Sequence, residues 1–429
     1  MKGRKHYGIV GTGPSALVAV LDLLNRGHIV TIIEPSNLRN GKRPYQRRLI
    51  LKDRKEKNHV YGDGPPIYHE SITGIFPLET RSFGGLSNIW GGVFFPSFRS
   101  YYWKQGLGEH HYSKVEKSLE SFLKIEKSSI SEWDLEGWQL SREKTQLRFY
   151  SPQLALNNLG EIWSANEAWS HLLSQKQANL ISGVVLKFRE HIDLVEVTIK
   201  ANHETFTEVF DVLLIGAGPI GNAKIVLNSL PNINEIRLED SSVSYSLGLK
   251  LTRSTVSEKM RPLRCGFETL NGHPTAYFQI YDLSEQLLKS LRFRTLQVIA
   301  KAFNILVGNS VRIVMSFANG DCSNGLSIKR VEECIRIEKV EKEGKSSQKF
   351  MIRRLFYFLL KEKILLLPLS IKAKVGDGAH LAGGPYVLGK RVRAIGMSGT
   401  SRVYAGPVTF LAMALTLKII EEVEENREL

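Results

Sequence analysis

The sequence predicts an α/β protein built on a Rossmann-like parallel sheet, and three stretches carry that prediction. The N-terminal "HYGIVGTGPSALVAVLDLLNRGHIVTIIEP" reads as strand, glycine turn, helix and strand. A second strand and glycine turn, "DVLLIGAGPIGNAKIVLNSL", begins at Asp211. Between them lies "SFGGLSNIWGGVFFPS" (82–97), which has two glycine pairs and no charge until its end is passed. Glycine pairs of this density mark backbone that must approach another group closely.

The first stretch is one βαβ unit. Gly11 makes the tight turn, and Gly13, followed by Pro14 and Ser15, lets a pyrophosphate approach the helix N-terminus. Ala16 stands where the third glycine or alanine permits close packing of helix on strand. Glu34 closes the second strand, where an acid accepts hydrogen bonds from an adenosine ribose. An acid there disfavours a 2′-phosphate, so FAD or NAD is preferred over NADP.

The second glycine strand separates these two. It follows a strand expected near Ile181–Phe188 and a β-meander with alternating Val and Ile. A second, independent NAD site would need its own βαβ unit and terminal acid, for which only "EIRLED" is available, and it is a poor candidate. The better interpretation returns this strand to the first sheet and lays Gly216 and Gly218 beside the same cofactor, a flavoprotein pattern.

Together these residues resemble the glucose-methanol-choline oxidoreductases, FAD enzymes that oxidise alcohols. The resemblance covers roughly half of the chain: the N-terminus, 179–230 and the C-terminus. It implies that "GGLSNIWGG" is the family's second glycine signature, with Gly84 and Gly85 at the phosphates and Ser87 and Asn88 near the isoalloxazine. The form with Trp is similar to the sugar-oxidising, pyranose-oxidase-like branch. There a His before the Trp can carry flavin covalently; Ile89 holds that position here, so non-covalent FAD is expected. Val185 joins the expected cofactor contacts.

The closing block "GDGAHLAGGPYVLGKRVRAIGMSGTSRVYAGPVTFLAMALTLKIIEEV" (376–423) also resembles the family. His380 matches its catalytic base, which takes the hydroxyl proton as hydride leaves for flavin N5. Gly396, Met397, Gly406 and Pro407 are the expected cofactor-side positions. Two positions depart from the pattern: Gly406 stands where a second His or Asn is usual, and Gly396 where an acid is often found.

The resemblance implies a Rossmann-like FAD-binding domain assembled from discontinuous segments, 1–100, 177–235 and 376–429. An α+β substrate-binding cap domain takes 101–176 and 236–375. In the cap, strands are expected at "TAYFQIYDL", "VRIVMSF" and "CIRIEKVEK", and a helix at "SEQLLKSLRFRTLQVIAKAFNIL". Tyr102, Trp103, His110 and His111 follow the glycine signature, either as a sugar-stacking group or as a folded surface loop. The expected activity is oxidation of a sugar, glycan or polyol. The alternatives are a reductase or isomerase using transient oxidation, or a non-catalytic flavin-binding scaffold at a membrane assembly. No motif names the electron acceptor.

Charge and composition bound the setting. Cys265, Cys322 and Cys334 are an odd set without metal-ligand spacing, which predicts reduced thiols, no metal and a cytoplasmic location. No signal peptide is expected, because the basic tip runs directly into a strand. The net charge of +15 suggests an anionic neighbour or a solvated basic surface. The basic residues are dispersed and no nucleic-acid-binding signature accompanies them, so no nucleic-acid partner is expected. "FMIRRLFYFLLKEKILLLPLS" (350–370) is too interrupted by charge to span a bilayer. With "LLKSLRFRTLQVIAKAFNILVG" it is compatible with peripheral contact to an anionic membrane surface, and equally with a helix packed in the cap.

Overall fold

The structure is a computed structural model. It describes residues 3–36, 59–61, 70–73, 78–80, 82–88, 92–93, 107–126, 146–150, 154–241, 243–251, 262–270, 273–283, 294–307, 310–318, 325–332, 334–340, 356, 359–360, 363–372, 381–385, 387–400 and 408–425.

A five-stranded sheet forms the frame. Its order is Val392–Ala394, Val212–Ile215, His6–Val10, Ile29–Glu34, Asn179–Ser182. Every pairing is parallel, with Tyr7 opposite Val212 and Val30. The second glycine strand therefore does return to the first sheet. Side-chain alternation sends Tyr7, Ile9, Val30, Ile32, Val212 and Leu214 into a core with the helices Pro14–Asn25 and Thr409–Glu425. Val10, Ile33, Leu213, Ile215 and Val392 face the other way, onto the three-stranded antiparallel meander Val184–Glu190, Val195–Ala201, Glu204–Phe210. Cover on both faces explains why its central strands, such as "VLLI" at 212–215, read as near-continuous apolar runs.

The strand expected at Ile181–Phe188 is in fact two. Asn179–Ser182 pairs with the parallel sheet edge and Val184–Glu190 opens the meander, with Gly183 as the step between layers. "EIRLED" is the strand Glu235–Asp240 of a different, mainly antiparallel sheet, whose other members are Leu381–Ala382, Gly325–Val331, Cys334–Val340 and Glu70–Thr73. The helix Gly218–Ser229 packs on it through Ile220, Ala223, Val226 and Leu227.

A further sheet has six antiparallel strands, in the order Ile364–Lys372, Val243–Lys250, Val311–Ala318, His273–Asp282, Pro262–Leu270, Gln146–Tyr150. The helix Arg294–Val307 lies on it, with Ile299, Ala300 and Phe303 against Leu247, Tyr281, Val311 and Ile313. The apolar run "ILLLPLSIK" is its edge strand rather than part of a helix; the register skips between Leu366 and Ser370, where Pro368 falls. An edge strand tolerates a proline at such an irregularity.

Buried charge fastens the last helix to the frame. The Glu424 carboxylate accepts from the Tyr7 hydroxyl and from Lys5 Nζ at 2.9 Å, with His28 Nε2 at 3.6 Å. One turn earlier, Glu421 accepts from Lys114 at 3.1 Å and lies 2.9 Å from His111 Nε2; Lys114 also pairs with Asp22 at 2.9 Å. Burial would raise the Glu424 carboxyl, but the Tyr7 and Lys5 hydrogen bonds outweigh it and hold the group below its usual range.

Candidate nucleotide site

Three glycine turns that are far apart in sequence meet at the N-terminus of the Pro14–Asn25 helix. The first and second touch directly. Gly11 adopts φ +91°, and a Cβ there would lie 2.6 Å from the Gly216 carbonyl oxygen. The third comes from 82–88, where Gly85, at φ +63°, brings its backbone so close that a Cβ would sit 3.0 Å from Gly13 Cα. The closing block adds Gly396, whose turn abuts the Ser15 hydroxyl.

The helix end itself is open. Gly13 is its N-cap, no side chain caps it, and the first turn holds no acid. A Cβ at Gly13 would meet nothing within 4 Å, and the same is true at Gly218, which opens the Gly218–Ser229 helix at φ +76°. An uncapped helix N-terminus facing free space offers backbone N–H groups and a positive dipole end to an anion.

Thr12 and Glu34 lock the first turn. The Gly84 N–H donates to Thr12 Oγ1 at 2.9 Å, and the Thr12 hydroxyl donates to Glu34 Oε2 at 2.8 Å. Glu34 Oε1 accepts from the Ser36 N–H at 3.0 Å and the Ser36 hydroxyl at 2.6 Å. Burial pushes the Glu34 carboxyl upward, opposed by the Ser36 and Thr12 hydrogen bonds. Glu34 thus ends the second strand beside the glycine turn, as read from sequence. Three of its roughly four acceptor positions are already engaged. Trp169 completes the lock, its Nε1 donating to the Thr12 carbonyl at 2.6 Å.

Ser87 and Asn88 are buried and turn toward the protein. The Ser87 hydroxyl donates to the Gly84 carbonyl and accepts from the Ala165 N–H; Asn88 donates to the Phe83 carbonyl and accepts from Ser164. Both side chains thereby fix the 3-10 turn Gly85–Asn88 against the N-terminus of the Ala165–Ser174 helix, which Ser164 caps. Ala16 is buried against the C-terminal helix cluster, and Val185 is buried between the parallel sheet and the meander. Met397 is buried, and its carbonyl accepts the Gly383 N–H at 3.3 Å. Sequence reading passed over Thr12, Trp169 and Asn222. Asn222 accepts from the Ala217 N–H at 2.8 Å and donates to Ser398 at 3.0 Å, tying the second glycine turn to the closing block. The polar residue inside G-x-G was the available signal for Thr12.

His380, Gly406, Pro407 and Ile89 lie outside the described residues, as do Tyr102 and Trp103. The described residues that follow His380 run toward the site: Leu381 and Ala382 pair with Asp240 and Glu239, and Gly383 then bonds Met397. His110 and His111 stand in the first turn of the Glu109–Leu119 helix rather than in a surface loop, and face Glu421. His110, His111 and Glu421 have the spacing of a metal-binding group. However, His111 Nδ1 accepts the Gly108 N–H at 3.0 Å, so the neutral ring carries its proton on Nε2, toward Glu421. That tautomer suits a hydrogen bond between helices, not a metal at Nε2.

No family model and no curated protein matches the chain by sequence. Among solved structures, CmlS, a flavin-dependent halogenase, aligns over 97% of this chain and 57% of its own, at a TM-score of 0.35 and 11% identity. Pyridoxine 4-oxidase from Mesorbium loti aligns over 98% of this chain and 99% of its own, at a TM-score of 0.64 and 12% identity. This chain therefore shares the fold of pyridoxine 4-oxidase along nearly its whole length, with a Rossmann-like sheet assembled from discontinuous segments and joined to an α+β region.

Proposed function

We propose that the chain is an FAD-dependent oxidoreductase acting on a CH–OH group, with a sugar, glycan or polyol as donor. The observation that carries the reading is the convergence of Gly11, Gly85, Gly216 and Gly396 around one uncapped helix N-terminus. The residues present fit a dinucleotide. Gly13 and Gly218 leave space where a side chain would stand, and both glycine strands belong to one sheet rather than to two nucleotide sites. The fold shared with an oxidase supports the same reading.

In this reading the first helix turn and Gly13 hold the pyrophosphate, the remaining acceptor position of Glu34 takes a ribose hydroxyl, and Gly85 and Gly396 allow backbone to reach the cofactor. Bound FAD supplies the acceptor for the hydride that leaves the alcohol carbon. His380, the base that the family resemblance assigns, takes the hydroxyl proton at its imidazole nitrogen. With Ile89 in place of the linking histidine, FAD is held without a covalent bond.

The test is anaerobic addition of sugars, sugar nucleotides and polyols to the flavin-loaded protein. Bleaching of the flavin by one compound, abolished in His380→Ala, supports the assignment. A transient bleach with full return under anaerobic conditions points instead to an isomerase, which Gly406 in place of a second His or Asn would favour.

A further inference from the structure

Half of the twelve large apolar side chains left exposed among the described residues gather at one end of the six-stranded sheet. On the Arg294–Val307 helix, Val298 is 62%, Ile305 75% and Leu306 79% exposed, with Val307 beside them. Leu251, 63% exposed, and Leu360 belong to the same end. Three backbone hydrogen bonds join the pieces: Lys250 N–H to the Ser310 carbonyl, Leu251 N–H to the Lys363 carbonyl, and Lys363 N–H to the Leu360 carbonyl.

The helix is apolar on both sides. Ile299, Ala300 and Phe303 face the sheet, while Val298, Ala302 and Ile305 recur on the outer side with helical spacing, with Lys301 among them. A solvated helix would carry polar residues there. Among the described residues here the exposed charge has one sign: Lys301 and Lys363 are exposed and Lys250 is half-buried. No Asp or Glu occurs at 249–251, 294–307, 310–311, 359–360 or 363–365. Centres of protein–protein interfaces favour aromatic residues and arginine and are poor in lysine. Aliphatic side chains ringed by lysine match a bilayer's acyl boundary and its anionic headgroups instead.

We propose that this end of the molecule docks on an anionic lipid bilayer, with Ile305, Leu306 and Leu251 entering the headgroup–acyl boundary and the lysines meeting phosphate. The contact proposed is a peripheral one; no helix among the described residues is long and apolar enough to cross a membrane. Docking is independent of the flavin chemistry and is tested separately from it.

The test is co-sedimentation of the purified full chain with phosphatidylcholine vesicles, with and without phosphatidylglycerol. At low salt the wild type is expected to sediment with the anionic vesicles and about tenfold less with phosphatidylcholine alone. Ile305→Glu with Leu306→Glu should lower the partition about tenfold, and Lys301→Glu should remove most of the preference for anionic lipid. Circular dichroism and flavin content unchanged from wild type would show that these exposed substitutions leave the fold intact. Wild type remaining in the supernatant, or the double variant sedimenting like wild type, would overturn the proposal. So would a wild-type dimer in dilute solution that the double variant dissociates, since the surface would then be covered by a second copy.

Discussion

Gly11 and Gly13 stand two residues apart, and the structure assigns them opposite consequences for the same substitution. Gly13 has φ −64°, a value any L-residue adopts, and a Cβ there meets nothing within 4 Å. Replacing a glycine N-cap by alanine costs a few tenths to about 1 kcal/mol. The stiffer unfolded chain returns about 0.4–1 kcal/mol. Gly13→Ala should therefore leave the melting temperature of the apoprotein within about 2 °C of wild type. The methyl group would instead project into the space where the proposed cofactor's pyrophosphate would lie, and flavin affinity should fall at least about tenfold, or ~1.4 kcal/mol. Gly11→Ala should do the reverse. Its φ of +91° costs an alanine about 1–2 kcal/mol, and the new Cβ would press on the Gly216 carbonyl at 2.6 Å, adding about 1–3 kcal/mol. The apoprotein should lose roughly 2–5 kcal/mol whether or not ligand is offered. Thermal melts of the apoproteins, with FAD titration followed by flavin fluorescence, separate the two effects. Wild-type flavin affinity in a folded Gly13→Ala protein would refute the placement of the pyrophosphate at this helix end.

Other consequences follow from the same contacts. Trp169→Phe keeps one aromatic ring but removes the donor to the Thr12 carbonyl and part of a fully buried indole, and should cost about 2–4 kcal/mol in urea unfolding while weakening flavin binding. Arg312 and Asp282 form a buried pair at 2.9 Å in the six-stranded sheet, so Asp282→Ala should destabilise by about 3–5 kcal/mol. Arg312→Met combined with Asp282→Leu should recover most of that loss, as a thermal melt would show. Acid should loosen the C-terminal helix in two stages. Burial depresses the His28 and His111 imidazoles, so the stability they contribute is present above the ordinary value of 6.5 and is lost as pH falls below it toward their folded values. Glu421 and Glu424 are held below their ordinary 4.5 by lysine and hydroxyl partners that outweigh burial, and their contribution is lost lower still. Melting temperature against pH for wild type and His28→Gln checks the upper stage, which the variant should reduce.

The frame was legible because each βαβ element announced itself locally. The strand His6–Val10, the helix Pro14–Asn25 and the strand Ile29–Glu34 need only hydrophobic period, a glycine turn and a proline near the helix start. Parallel return of Val212–Ile215 to the same sheet followed from the lack of a second βαβ unit after it. The step at Gly183 was invisible because strands of two different layers, Asn179–Ser182 and Val184–Glu190, are contiguous in sequence and both rich in β-formers. "ILLLPLSIK" gave no help either, since a short apolar run does not distinguish a strand from a buried helix and its proline pointed away from a sheet. At the site, glycines were readable because their backbone task is intrinsic to the residue. The Thr12–Glu34–Gly84 bridge and the Asn222–Ser398 bond were not, because each joins residues that only the folded chain brings together. The partner of the His110–His111 pair, Glu421, was hidden for the same reason, since it lies at the far end of the sequence.

The most direct test of the central claim is the absorption spectrum of the purified protein, followed by heat release and identification of the chromophore. The account predicts flavin bands, FAD released without proteolysis, and bleaching on anaerobic addition of an alcohol donor. A colourless protein that takes up no FAD on reconstitution would contradict it, and the assignment of His380 would fall with the cofactor.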